Sequence, residues 1–226
     1  MTGYSPSEYS FQEVDKKRAR NPEEKEVRKR SIVTALRTLL EKSKHPLPTA
    51  QDVAEEAGVT KGVIYFYFKT REEIFLSLHL RETENFFKEI AEALQEKNYS
   101  LDALKKKILK QFTQNDVFMF LGSIIPGILE SNVDTDFLYE FKLKSSEGMD
   151  ALARAWVQRE SRLTIAVTRQ FILRFYFLGL MLWQHHNPPK EIKEAFASKN
   201  LWMLEEDLEH SLSESFDWLW KGMLPD

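Results

Sequence analysis

The chain has 226 residues, 42% of them hydrophobic and 12% aromatic, enough apolar surface for a folded core and too much for wholesale disorder. It contains no cysteine, which excludes disulfides and thiolate metal sites and fits a reducing, cytoplasmic setting. The net charge of −3 is unevenly spread: residues 1–15 carry −3, residues 16–80 carry +5 and residues 81–226 carry −5, so any acid-binding head belongs near the N-terminus.

Residues 1–20 are polar, lack the apolar core of a signal peptide and end in Lys16-Lys17-Arg18-Ala19-Arg20, which reads as a flexible arm with a basic end. Asn21 as cap, Pro22 at the first helical position and Glu24 in the first turn open a helix. Ile32, Leu36, Leu39 and Leu40 continue it at helical spacing, and His45-Pro46-Leu47-Pro48 ends it. Thr49 with Asp52 caps a second helix whose inner face is Val53, Ala54 and Ala57, and Gly58 suits a left-handed stop. Thr60 caps a short third helix reaching about Tyr67. Thr70-Arg71-Glu72-Glu73 is a capping box for a long fourth helix running to about Lys97.

The remainder also reads as helix. Ser100 caps a segment to Gln114. Residues 116–130 form another, kinked at Pro126-Gly127, and residues 136–160 a third with Gly148 as a weak point. Residues 161–186 form a strongly apolar helix stopped by Pro188-Pro189, and residues 200–222 form the last. The chain's most apolar stretch, 171–183, contains Arg174 and falls short of the ~20 apolar residues of a membrane span, so no membrane partner is expected. With no alternating strand pattern and no internal repeat, the expected fold is all-α.

The segment 49–75 reads TAQDVAEEAGVTKGVIYFYFKTREEIF, two short helices about a glycine turn, the layout of a helix-turn-helix. Val53, Ala54, Ala57, Val59, Ile64 and Phe68 supply one compact core, with the alanines allowing close approach of the helices. Thr60, Val63 and Tyr67 are expected along one exposed face of the second helix, flanked by Lys61 and Tyr65. Hydroxyls, a lysine and aromatic rings on one face suit phosphates and base edges.

The strings Ala57-Gly58-Val59-Thr60-Lys61-Gly62, Tyr65-Phe66-Tyr67-Phe68-Lys69 and Arg71-Glu72-Glu73-Ile74-Phe75 closely resemble the DNA-binding domain of the TetR family of repressors. The motif covers about residues 27–78. The resemblance implies a small N-terminal domain of three helices (21–80) behind the arm (1–20), and a larger helical domain (81–226) for ligand binding and dimerisation. It implies that Thr49 and Thr60 contact phosphate at helix N-termini, that Lys61 and Lys69 neutralise phosphates, and that Gly62 permits close approach to the groove. Tyr65 and Tyr67 would bond the DNA backbone, and Val63 would touch a thymine methyl. Arg71 stands where a lysine is common and keeps the charge. Phe66 reads equally well as core or contact.

Family resemblance further places the homodimer interface on the last two helices, with Trp183, Leu204, Leu208 and Leu212 as candidates. The middle helices are rich in aromatic residues, and Phe86, Phe112, Met119, Trp156 and Phe175 are the candidate lining of a pocket for a hydrophobic or aromatic effector. His45, His79, His185, His186 and His210 offer no metal-ligand spacing, and no phosphate-binding loop, nucleophile elbow or zinc-protease motif is present. Neither metal, cofactor nor catalysis is expected. The sequence thus reads as a repressor on a near-palindromic double-stranded operator. The same head on a protein-binding body, as in a nucleoid or division factor, and an enzyme with an incidental helix-turn-helix are the rival readings.

Overall fold

The computed structural model describes residues 22–44, 46–196 and 207–224, and among them ten α-helices and no strand are found. The arm expected at 1–20 lies outside the described residues, as does Leu204.

Helix α1 (Pro22–Lys42) starts on its proline with Glu23 and Glu24 in the first turn, where acids oppose the helix dipole. Its apolar face, Ile32, Val33, Leu36 and Leu40, is buried. Helix α2 (Ala50–Glu56) carries a complete capping box: the Thr49 hydroxyl accepts from Asp52 N at 3.2 Å, and the Asp52 carboxylate accepts from Thr49 N at 2.7 Å. Gly58, at φ +65°, turns the chain so that Val59 N donates to Ala54 O at 2.9 Å. A side chain at this φ would be strained. Helix α3 (Lys61–Tyr67) follows.

Helix α4 (Arg71–Gln95) begins three residues after the end of α3 is capped by Phe68. Thr70 accepts from Glu73 N as expected, but Glu73 returns its carboxylate to Lys69 N at 2.7 Å rather than to Thr70 N. The start of α4 is thereby tied to the residue just past α3. At 1.5 Å per residue, its 25 residues span roughly 37 Å. It packs against α1, and in the body against α5 (Leu101–Gln114), α6 (Asp116–Ile124) and α7 (Thr135–Arg159).

The kink expected at Pro126-Gly127 is a π-helical turn, Ile125–Leu129, followed by a 3-10 turn, Glu130–Asn132. Pro126 lacks the N–H a regular helix would need there, and the wider turn accommodates it. Helix α7 runs through Gly148 without a break. A Cβ there would lie 2.9 Å from Phe87 Cδ2, so the glycine admits a ring of α4.

Helix α8 (Ile165–His186) is capped by Thr164 rather than starting at Ser161. As a whole it is long and apolar enough to cross a membrane by length and composition alone, a test that the core helix of a folded protein also passes. Phe171, Phe175, Gly179 and Trp183 nevertheless pack into the core. Leu173, Phe177 and Met181, four residues apart in turn, form a stripe that is 40–64% exposed. Residues 190–196 form α9 (Lys190–Phe196), which the sequence pattern did not suggest. The diproline that stops α8 starts it, since Pro189 O accepts from Ile192 N and Lys193 N at 3.0 Å. Helix α10 (Leu208–Met223) closes the described chain against α8 and α5.

Candidate nucleic-acid interface and body cavity

Val53 and Ala54 of α2, Ile64 of α3 and Phe68 meet Ile32, Leu36 and Leu40 of α1 in a core from which solvent is excluded. Ala57 and Val59 are only partly buried beside it. This fixes which side of α3 is free. Thr60, Lys61, Gly62, Tyr65, Phe66 and Lys69 are exposed, whereas Val63 is half-buried and Tyr67 packs against the core. The open face is therefore turned from the expected Thr60–Val63–Tyr67 line toward Tyr65 and Phe66, because Ile64 and Phe68 pull the opposite side inward. Phe66, 66% exposed, belongs to this face and not to the core.

The polar atoms on this face are largely uncommitted. The Thr60 hydroxyl makes no capping bond to α3, unlike Thr49, whose hydroxyl is engaged by Asp52. Lys61 Nζ sits 5.9 Å from the Tyr65 ring centroid, a cation–π pair on the surface. Lys69 Nζ lies 3.7 Å from Asp134, the N-cap of α7. Backbone N–H of Asp136 and the Lys69 charge hold the Asp134 carboxyl below the usual carboxylate range.

Eight residues into α4, about 12 Å along its axis, His79 is the first of five α4 residues on the wall of a cavity of about 420 Å³. Helices α4 to α8 enclose it. Of the candidate pocket residues, Phe86, Phe112, Trp156 and Phe175 line it. Met119 does not: it is fully buried and faces the packed core instead. The rings form a connected set, with Phe112 5.3 Å from Phe175, Phe175 5.4 Å from Phe216, and Trp156 stacked on Trp220 at 5.5 Å.

Sequence pattern alone gave no sign of the cavity's polar lining. His79 Nε2 and Tyr176 Oη are 2.9 Å apart, and the imidazole stacks on Phe118 at 5.2 Å. Burial, with the Lys142 charge adding to it, pushes the His79 pKa down to about 3, so the ring is neutral. Burial pushes the Tyr176 phenol up. At the mouth Lys142 and Glu130 form an ion pair. The i, i+4 relation of His79 and Thr83 is visible in the sequence, but its partners come from α6 and α8, far along the chain.

Of the candidate interface residues, Trp183 and Leu212 are 6% and 0% exposed within the single subunit, and Leu208 is half-buried against the same core. Trp183 also donates its indole N–H to Asp116 at 3.4 Å, which fastens α8 to the start of α6. Neither Trp183 nor Leu212 is open to a second copy. The Leu-rich stripe chosen from α10 is the subunit's own inner face, and the exposed apolar side chains on α8 and α10 are Leu173, Phe177, Met181 and Trp218. No group of three His, Asp or Glu side chains among the described residues is placed to hold a metal ion.

Residues 33–78 match the family model described as bacterial regulatory proteins, tetR family, and residues 80–226 match that of the tetracyclin repressor-like C-terminal domain. The chain is 32% identical over 82 residues, 36% of its length, to the fatty acid metabolism regulator protein of Bacillus subtilis. Over 53 residues, 24% of its length, it is 38% identical to an uncharacterised helix-turn-helix regulator of the same organism. It spans only 42% and 26% of those two relatives' lengths. A TetR-family regulator of Streptomyces coelicolor has the same fold at 16% identity and a TM-score of 0.54, over 87% of this chain and 99% of that one. The repressor AlkX of Dietzia does so at 16% identity and a TM-score of 0.51, over 86% and 94%.

Proposed function

The chain belongs to the TetR family of DNA-binding transcriptional regulators, and from that premise we propose that it is a homodimeric repressor released from a near-palindromic operator by a small apolar or aromatic ligand. Residues 21–80 act as the reading head and residues 81–226 as the sensing and dimerising body, in the cytoplasm. Thr49, Thr60, Lys61, Gly62, Val63, Tyr65, Tyr67 and Lys69 are the proposed DNA contacts, to which the exposure of Phe66 adds a further ring at the groove.

The observation that carries the switch is the course of α4. Its first turn is bonded to Lys69 just past the recognition helix, and its next turns form one wall of the aromatic cavity. A ligand entering beside Phe86 and Phe112 displaces α4 against α7, and the heads of a dimer change their separation. Two recognition helices must enter successive major grooves about 34 Å apart, so a small change in that distance costs affinity. One relative is named for fatty acid metabolism, in keeping with an apolar effector.

Reciprocity provides the test. An inducer must bind the operator-bound dimer more weakly than the free dimer, by the same factor through which it lowers operator affinity, roughly 5–150-fold for couplings of ordinary size. Calorimetry of ligand binding with and without operator measures both factors. Equal ligand affinities in the two states remove the inducer reading for that ligand.

A further inference from the structure

The cavity has few polar groups, and nearly all of them are already satisfied. Ser145 returns its hydroxyl to the Phe141 carbonyl at 2.9 Å, and Thr83 does the same to the His79 carbonyl at 2.9 Å. Lys142 and Glu130 neutralise each other at the mouth, where Ser146 is exposed to solvent. Two features remain in the interior: the indole N–H of Trp156, buried without a hydrogen-bond partner among the described residues on the side of the Tyr99 hydroxyl, and the His79–Tyr176 pair, which is the one that offers an acceptor.

The neighbours decide where its protons are. Thr83 uses its one hydroxyl proton on the His79 carbonyl, so toward His79 Nδ1, 3.5 Å away, its oxygen acts only as an acceptor. That arrangement puts the imidazole proton on Nδ1 and leaves Nε2 to accept from the Tyr176 hydroxyl. Tyr176 Oη has then given its proton inward and keeps an unused lone pair at the cavity wall. Burial holds both groups uncharged. Gly122 makes room for the pair: a Cβ there would lie 2.5 Å from Tyr176 Oη and 3.3 Å from His79 Nε2.

We propose that the cavity takes an uncharged ligand with a compact apolar or aromatic body and one hydroxyl or N–H donor, which seats on Tyr176 Oη. This rests on the effector-pocket reading above. A carboxylate at that point meets a lone pair and a neutral imidazole with no free proton, and leaves water without a compensating partner. An ether or ketone oxygen meets a lone pair with a lone pair. Lys142 does not rescue an anion, since it stands at the mouth and is already paired.

Three probes with one body separate these cases: 4-hexylphenol, its methyl ether 4-hexylanisole, and 4-hexylbenzoate, titrated into the full-length protein by calorimetry at pH 7.5. The phenol is expected to bind roughly 3–10-fold more tightly than the ether and at least about tenfold more tightly than the benzoate. In the double variant His79→Phe/Tyr176→Phe the phenol-to-ether ratio falls to about one. Should that variant not fold, the ratios in the unaltered protein decide alone.

An ether bound as tightly as the phenol overturns the proposal, and so does the failure of all three probes to bind. A benzoate that binds best and is lost in Lys142→Ala also overturns it, by putting an anionic head at the mouth. If the ratios hold but operator affinity does not change, the ligand chemistry stands and the inducer reading falls. If another apolar compound releases the operator while the phenol does not bind, the reverse is true.

Discussion

In the proposed docking Lys69 stands between two negative partners, Asp134 and a DNA phosphate. Its ammonium lies 3.7 Å from the Asp134 carboxylate, with both side chains well exposed, so solvent and salt screen the pair and DNA phosphate displaces it at little cost. Lys61 lies against the Tyr65 ring. Replacing either lysine by alanine should weaken binding to every DNA sequence and reduce the slope of log affinity against log salt by about one unit, measured by titration at several salt concentrations. An unchanged slope in both variants would remove the proposed docking. His79 makes a different prediction. Its folded pKa of about 3 lies below the 6.5 of the unfolded chain, so the unfolded state binds the extra proton. The sign is therefore fixed: stability is complete above pH 6.5 and falls by up to about 1.4 kcal/mol per pH unit as the pH drops toward 3. Urea unfolding at pH 7.5, 6 and 5 should show that loss, and a His79→Phe variant should lack it.

Among the elements, α8 is the one under most demand, because it meets α5, α6, α7 and α10 and still keeps a stripe free. Close approach to α5 depends on Gly179, where a Cβ would lie 2.2 Å from Phe112 Cε1. The Phe112 ring is fully buried against Phe175 and Phe86 and has nowhere to retreat except into the cavity. Gly179→Ala should therefore destabilise the protein by about 1–3 kcal/mol despite the better helix propensity of alanine. It should also reduce the binding of apolar ligands, because the displaced ring fills their space. Chemical unfolding and calorimetry read the two effects separately, and a stability equal to the parent protein would mean that α5 and α8 are less tightly packed than the distances indicate.

For the whole molecule, the exposed stripe Leu173, Phe177 and Met181 of α8 is the surface we assign to the partner subunit. Three large apolar side chains in line are costly to leave in water, and an isologous contact would cover two copies at once. Because these residues are exposed in the subunit, charge there should separate the copies without unfolding them. Phe177→Glu/Met181→Glu should sediment as a monomer at micromolar concentration with an unchanged helical spectrum, and it should lose affinity for a two-half-site operator. Leu212→Glu should instead unfold the subunit, since Leu212 is fully buried. A wild-type monomer at that concentration would defeat the assignment.

Local signals in the sequence determined a great deal. Pro22, Thr49 with Asp52, Gly58, Thr70 and Ser100 fix where helices start and turn through local backbone geometry and bonds made within five residues, and all of them act in the structure near the places their spacing indicated. The all-helical fold and the helix-turn-helix were legible for the same reason. Where two apolar faces compete, the sequence was silent. Trp183 and Leu212 were singled out for a partner and Phe177 and Met181 were not, because hydrophobic spacing says that a face is covered and not by what. The same holds for Met119, indistinguishable from a pocket residue until its neighbours closed over it, and for the outward turn of α3 that exposes Phe66. His79 and Tyr176 are 97 residues apart in the chain. Only the tertiary structure could bring them within a hydrogen bond, because their meeting depends on where α4, α6 and α8 cross, and that is decided by the packing of rings against the bare backbone of Gly122 and Gly179.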